Sequence, residues 1–234
     1  MKFYDLIAKE YKNISLKKKI YLNSVNKIII KYLRKKKYIL DAGSGDGLRL
    51  EKIRKKLKNK NFSAIEPSKK MYGLFKKNSK IPIKNIGLEN IKDLNQKFDA
   101  ITCLWNVFGH VSTTEKRLNI LKDIKKKLNP KGYLIFDVNN RHNAKQYGII
   151  KIIYRVLVDK FFFNEKRGDA KYEIVQENKK VKGYGHLFTI GEIELLIKKS
   201  NFQLKKVYFV NYSNGKVEKT PFFGQILVIL EANN

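Results

Sequence analysis

The sequence predicts an α/β protein built on a doubly wound, mostly parallel sheet of seven strands with an antiparallel strand at the carboxyl end. Three observations predict it. Apolar strand-like runs alternate with segments of helical periodicity, which argues for helices on both faces of a parallel sheet. A glycine loop, Asp41-Ala42-Gly43-Ser44-Gly45-Asp46-Gly47, follows the first apolar run directly. The last two runs are joined through Asn214-Gly215 with no helical pattern between them, so they pair antiparallel.

In order, Phe3–Tyr11 reads as a short amphipathic helix and Val25–Leu33 as a second. Lys37–Leu40 is the first strand, and Leu48–Leu57 is a helix with Leu50, Ile53 and Leu57 on one face. Phe62–Ile65 is the second strand, ending at Glu66. Pro67-Ser68 opens a helix through Lys77, since proline suits a first turn. Ile83–Ile86 and Phe98–Leu104 are the third and fourth strands. Ser112-Thr113-Thr114-Glu115 has capping-box spacing before a helix that stops at Asn129-Pro130. Gly132–Val138 is the fifth strand. Residues 139–188 break the alternation and form an insertion holding an apolar helix, Ile149–Phe163, expected to pack on the sheet as a lid, with a membrane anchor as the lesser alternative. Thr189-Ile190-Gly191-Glu192 is another capping box. Leu204–Val210 and Gln225–Leu230 close the sheet.

The 234 residues carry a formal net charge of +30. Clustered lysines gain affinity for a polyanion such as RNA through counterion release. Equally, only seven of the 51 basic residues are arginine, a usage that an AT-rich genome would produce. The opening residues do not read as a signal peptide, because Asp5, Glu10 and several lysines interrupt them. No apolar run reaches the roughly 18–20 residues of a membrane span, so a cytoplasmic protein with no membrane partner is expected. A single cysteine, Cys103, excludes an intrachain disulfide, and no metal site is expected. The sequence leaves the oligomeric state open.

In a doubly wound sheet, ligands bind beyond the carboxyl ends of the strands, beside the first. Gly43, Gly45 and Gly47 sit there and let a ligand press against main chain. Glu66 ends the second strand, where a carboxylate suits a ribose diol. A dinucleotide would want G-x-G-x-x-G, but the third glycine of that fingerprint would fall at Leu48. Asp46 in the loop would repel a pyrophosphate and suits a cationic ligand instead.

These motifs resemble the class I S-adenosylmethionine-dependent methyltransferases, over nearly the whole chain. ILDAGSGDG resembles their first motif, IEPS at 65–68 their acidic second-strand motif, and LKDIKKKLNPKGYLIFDV at 121–138 their fifth-strand region. GLENI at 87–91 and FDAITCLWNVFGHV at 98–111 resemble the segments lining the adenine and the methyl group. The resemblance implies a Rossmann-like domain over residues 1–234, with lid helices at 1–34 and a substrate cap at 139–188. It implies S-adenosyl-L-methionine as cofactor, with Asp41, Gly43 and Gly45 along its methionine part and Glu66 on the ribose. Met71, Leu88 and Glu89 would border the adenine, with Leu104 and Asn106 near the sulfonium. Tyr4 and Tyr11 fit a Tyr-Asp-x-x-Ala-x-x-Tyr lid pattern, although Lys12 stands where the family commonly has an acid.

For the acceptor, His110 is the histidine nearest the fourth strand's end and is a candidate base. Asn106 is a candidate for orienting the acceptor, and Arg141 for clamping a carboxylate or phosphate. Each also has a structural reading, as do His186 and Trp105. HVSTTEKR at 110–117, Gly168-Asp169 and HLFTIGEIELLI at 186–197 are similar to the tRNA wobble-uridine carboxymethyl methyltransferases. That family carries paired histidines and paired tyrosines where this chain has Gly109-His110 and Tyr184-Gly185. The acceptor is therefore expected to be a small molecule, with a modified tRNA uridine as the alternative. A further alternative is an inactive cofactor-binding or RNA-binding subunit.

Overall fold

The computed structural model describes residues 2–162, 164–176 and 179–233. Phe163, the end of the expected apolar helix, lies outside them, as do residues 177 and 178 of the insertion. The helices are α1 (Lys2–Ile7), α2 (Tyr11–Lys17), α3 (Lys19–Leu33), α4 (Leu48–Lys56), α5 (Lys69–Asn78), α6 (Thr114–Lys127), α7 (Ala144–Tyr147), α8 (Ile149–Phe161) and α9 (Ile190–Ser200). The strands are β1 (Tyr38–Ala42), β2 (Asn61–Ile65), β3 (Ile83–Lys84), β4 (Phe98–Cys103), β5 (Leu128–Val138), β6 (Asp169–Gln176), β7 (Lys179–His186), β8 (Phe202–Val210), β9 (Val217–Glu218) and β10 (Gln225–Ala232).

The main sheet has the order β3-β2-β1-β4-β5-β10-β8-β9. β1 to β5 run parallel, and β10 is antiparallel to both β5 and β8. Seven of these strands match the expected set; the eighth, β9, is a two-residue edge strand beyond Asn214-Gly215. Side chains alternate across the sheet with the period of two that a strand imposes. Ile39, Ala100, Ile135 and Ile229 face α3 and α4, which bury Val25, Ile29, Leu50 and Ile53. Leu40, Ile101, Leu134 and Val228 face α6 and α9, which bury Leu121, Ile124, Ile193 and Leu196.

Several local expectations are corrected. The first helix breaks at residues 8–10, so that α1 and α2 are separate. Pro67 precedes the N-cap Ser68 rather than entering the first turn. The N-cap of α6 is Thr113, one residue later than expected, and it accepts from the Lys116 N–H. Asn129-Pro130 lies within β5. The capping box of Thr189 and Glu192 forms as expected. In the insertion, β6 and β7 make a separate hairpin. Its polar base is buried: His186, 1% exposed, bonds Asp169 at 2.8 Å and Glu192 at 3.1 Å. The residues similar to the tRNA enzymes thus meet in a structural joint, where Arg117 also lies over the Phe188 ring. α8 does not pack on the sheet as a lid; most of its apolar side chains are exposed.

Candidate active site

Three glycines of the loop after β1 lie in the left-handed region, among them Gly43 at φ 77° and Gly45 at φ 60°. A Cβ on Gly43 would stand 2.6 Å from Val107 Cγ2, and one on Gly45 3.1 Å from Tyr11 Oη. Side chains there would be strained and would fill the space over the main chain. The Gly43 and Ser44 N–H groups donate to the Ile65 carbonyl, fixing the loop to the end of β2. Glu66 completes this joint. One carboxylate oxygen accepts from Gly45 N–H at 2.8 Å and the other from Ser68 N–H at 2.9 Å. Burial pushes the Glu66 carboxyl above its usual range, and these two donors partly offset that.

Two adjoining cavities follow the loop and share Tyr11, Gly43, Leu104 and Trp105. The larger, about 360 Å³, holds Tyr4, Gly45, Glu66, Leu88, Glu89 and His110. The smaller, about 100 Å³, holds Asp41, Ser44, Asp46 and Arg49. Arg49 was not anticipated from the sequence. Its Nε donates to Asn26 at 2.8 Å. Its two terminal nitrogens are buried, and among the described residues neither has a hydrogen-bond partner. An unsatisfied buried donor is costly, more so when charged, so an anionic group bound here would be favoured. Asp41 lines the same cavity, and burial pushes its carboxyl up while Thr102 hydrogen-bonds it. A carboxylate and an open guanidinium sharing one small cavity match the ammonium and carboxylate of an amino-acid group. The residues present therefore fit S-adenosyl-L-methionine, and Glu66, Leu88 and Glu89 line the adjoining cavity.

The roof of the larger cavity is aromatic. Tyr4 and Tyr11 rings stand 6.3 Å apart, and Tyr11 and Trp105 5.5 Å. Phe3 packs edge-on against Tyr172 of the hairpin at 5.2 Å. Asp5 pins this roof to the start of α5, accepting from Ser68 Oγ at 2.7 Å and Lys70 N–H at 2.9 Å. His110 Nδ1 lies 2.9 Å from the Tyr184 carbonyl. A carbonyl only accepts, so Nδ1 carries the proton. Nε2 then accepts from the Tyr4 hydroxyl at 2.7 Å. Burial holds the imidazole below its usual pKa, hence neutral at pH 7.

Beside the pocket the chain makes a strained turn. Trp105 and Asn106 have φ of 66° and 65°, a region asparagine tolerates but a bulky tryptophan rarely adopts. Asp137 at the end of β5 holds it: its carboxylate accepts from Trp105 N–H at 2.7 Å and from Tyr21 Oη at 2.6 Å. Its carbonyl accepts from Asn106 N–H.

Three expected site residues sit elsewhere. Asn106 is buried, its Oδ1 accepting from Asn139 N–H, so it braces two strand ends instead of facing the acceptor. The Arg141 guanidinium is consumed by Asp159, at 2.6 and 3.1 Å, and by the Arg167 carbonyl; it anchors α8 and clamps no ligand. Met71 is 1% exposed in the core beneath α5 and lines neither cavity.

Comparison with known proteins agrees with this site. Residues 18–207 match the family model described as a methyltransferase domain. The chain belongs to this family: it is a methyltransferase with a class I, Rossmann-like core, and the cofactor of that class is S-adenosyl-L-methionine. The chain is 26% identical over 218 residues to protein MJ1252 of Methanocaldococcus jannaschii, covering 93% of this chain and 81% of that one. A methyltransferase structure from Clostridium acetobutylicum superposes with a TM-score of 0.66 at 17% identity, covering 97% of both chains. The amino pentose methyltransferase CalS10 of Micromonospora echinaspora, solved with its cofactor bound, gives 0.65 at 13% identity over 95% of this chain and 96% of that one. A possible histamine N-methyltransferase from Thermotoga maritima gives 0.64 at 19%, over 99% and 98%. At these identities the likeness is one of fold.

Proposed function

We propose that the chain methylates a small molecule on a neutral amine or hydroxyl. One observation carries this reading: a neutral histidine, hydrogen-bonded to Tyr4, faces a compact pocket roofed by aromatic side chains. Ligand pockets commonly run to about 300–1,000 Å³, so a cavity of about 360 Å³ lies at the small end. An acceptor entering beside the cofactor has to be compact in the closed form.

S-adenosyl-L-methionine, when bound, supplies a methyl group activated by its sulfonium. Asp41 and Arg49 hold the two charges of its amino-acid end, and Glu66 accepts from its ribose hydroxyls. The roof excludes water and holds the acceptor atom in line for transfer, where placement within about 3–3.5 Å contributes much of the rate. An amine or hydroxyl must also lose a proton. Tyr4 alone is a poor base, because burial raises its phenol well above the usual range. It serves as a relay: its oxygen accepts the acceptor's proton while its own passes to His110 Nε2. His110 becomes imidazolium, still donating from Nδ1 to the Tyr184 carbonyl. The proton leaves for solvent when the roof opens.

The net charge of +30 favours a second reading, a nucleoside of tRNA. Incubation of the purified protein with methyl-labelled cofactor and two host fractions, small metabolites and small RNA, separates the two. The proposal predicts label in the metabolite fraction; label confined to RNA that nuclease converts to labelled nucleosides supports the tRNA reading instead.

A further inference from the structure

α8 is held with its polar side inward. Asp159 takes the Arg141 guanidinium and the His142 imidazole, the latter at 2.8 Å. Arg155 donates to the Arg141 carbonyl and lies over the Tyr147 ring. The opposite side is apolar and open. Ile149, Ile150, Ile153, Tyr154, Leu157 and Phe161 are between 53% and 82% exposed, and Phe162 continues the patch. Ile149, Ile153, Leu157 and Phe161 succeed one another at four-residue steps, which keeps them on one face. Of the helix, Ile152 alone is fully buried. An open apolar patch on a rigidly anchored helix marks an interaction surface.

Charge selects the occupant. Exposed Lys151 and Lys160 lie on the same helix, on a chain of net charge +30. Two copies of such a chain repel one another, whereas an anionic partner is attracted. Nucleic acid offers phosphates and base faces, but no medium for the branched aliphatic side chains at 149, 150, 153 and 157. An anionic lipid surface offers both: headgroups for the lysines and acyl chains for the apolar face. We propose that α8 is an interfacial anchor that docks this protein on anionic bilayers, lying in the surface plane. No helix among the described residues is long and apolar enough to cross a membrane. An interfacial helix needs no such length, so the proposal revises only the expectation of no membrane partner. It does not depend on the acceptor.

Flotation with phosphatidylcholine vesicles, with and without phosphatidylglycerol, at physiological ionic strength tests it. The wild-type protein is expected to float with the anionic vesicles only. The charge-neutral variant Ile150→Asn/Ile153→Asn/Leu157→Asn should bind them at least about tenfold more weakly, with an unchanged melting temperature. Should that variant misfold, Ile153→Trp gives an independent reading: its emission should shift to the blue on adding anionic vesicles. The proposal is overturned by no flotation or blue shift with anionic lipid, by flotation unaffected by the triple variant, or by a dimer in solution that the triple variant dissociates. RNA binding lost in the triple variant would likewise overturn it and assign the face to nucleic acid.

Discussion

The hydroxyl of Tyr4, near the start of the chain, donates to Nε2 of His110 across 2.7 Å, closing the first helix over the end of the fourth strand. The same contact closes one side of the pocket and, with the Tyr184 carbonyl on Nδ1, leaves Nε2 as the accepting nitrogen of the His110 ring. Two roles in one hydrogen bond make it a sharp target.

Replacing Tyr4 with Phe keeps the ring packing and removes the relay. Turnover should fall about 10²–10⁴-fold, the usual worth of general base catalysis, with cofactor affinity nearly unchanged. Isothermal titration alongside steady-state kinetics checks both. His110→Ala should lower turnover more than cofactor affinity; equal losses would assign His110 to binding.

The pH dependence has a fixed sign. The pKa of His110 is lower folded than unfolded, so the unfolded state binds more protons as pH falls below about 6.5. The stability linked to it is present above that value and is lost as pH falls through the window below it. Activity should fall over the same acid limb, because imidazolium cannot accept a proton. A pH–kcat profile should show this limb in the wild type and lose it in His110→Ala.

Arg49 makes an unusual prediction about stability. Its terminal nitrogens are buried without partners among the described residues, so Arg49→Met should leave the melting temperature of the cofactor-free protein unchanged or higher. Cofactor affinity should fall about tenfold or more, the loss of a charged hydrogen bond worth roughly 1.5–3 kcal/mol. A melting temperature that drops while affinity holds would make Arg49 structural.

Gly43→Val should abolish cofactor binding through strain and through collision with Val107. Glu66→Ala should weaken binding by removing the ribose acceptor and loosening the loop at Gly45. Calorimetry reads both; unchanged affinity in both would displace the site from this loop.

Much of this was legible in the sequence, for local reasons. The glycine loop, Glu66 and the Thr189–Glu192 capping box are short-range patterns whose chemistry is set within a few residues. Asp41, Gly43, Gly45, Glu66, Leu88, Glu89, Leu104, Tyr4, Tyr11 and His110 all line the two cavities. What escaped depends on distant partners. Arg141 reads as a free clamp until the fold brings Asp159 to it. Arg49 reads as a solvated helix residue until its surroundings prove dry. Asp5 and Asp137 act through donors 63 and 32 residues away. Periodicity in α8 reveals an apolar face, but not that the other face is the one anchored to the protein.

The most direct measurement is a single-turnover assay with methyl-labelled S-adenosyl-L-methionine and host small metabolites, run on wild type, Tyr4→Phe and His110→Ala. The wild type should yield a labelled small amine or alcohol, and both variants strongly reduced labelling while still binding cofactor. Undiminished labelling in both variants, or label transferred to a carboxylate, would contradict the proposed mechanism.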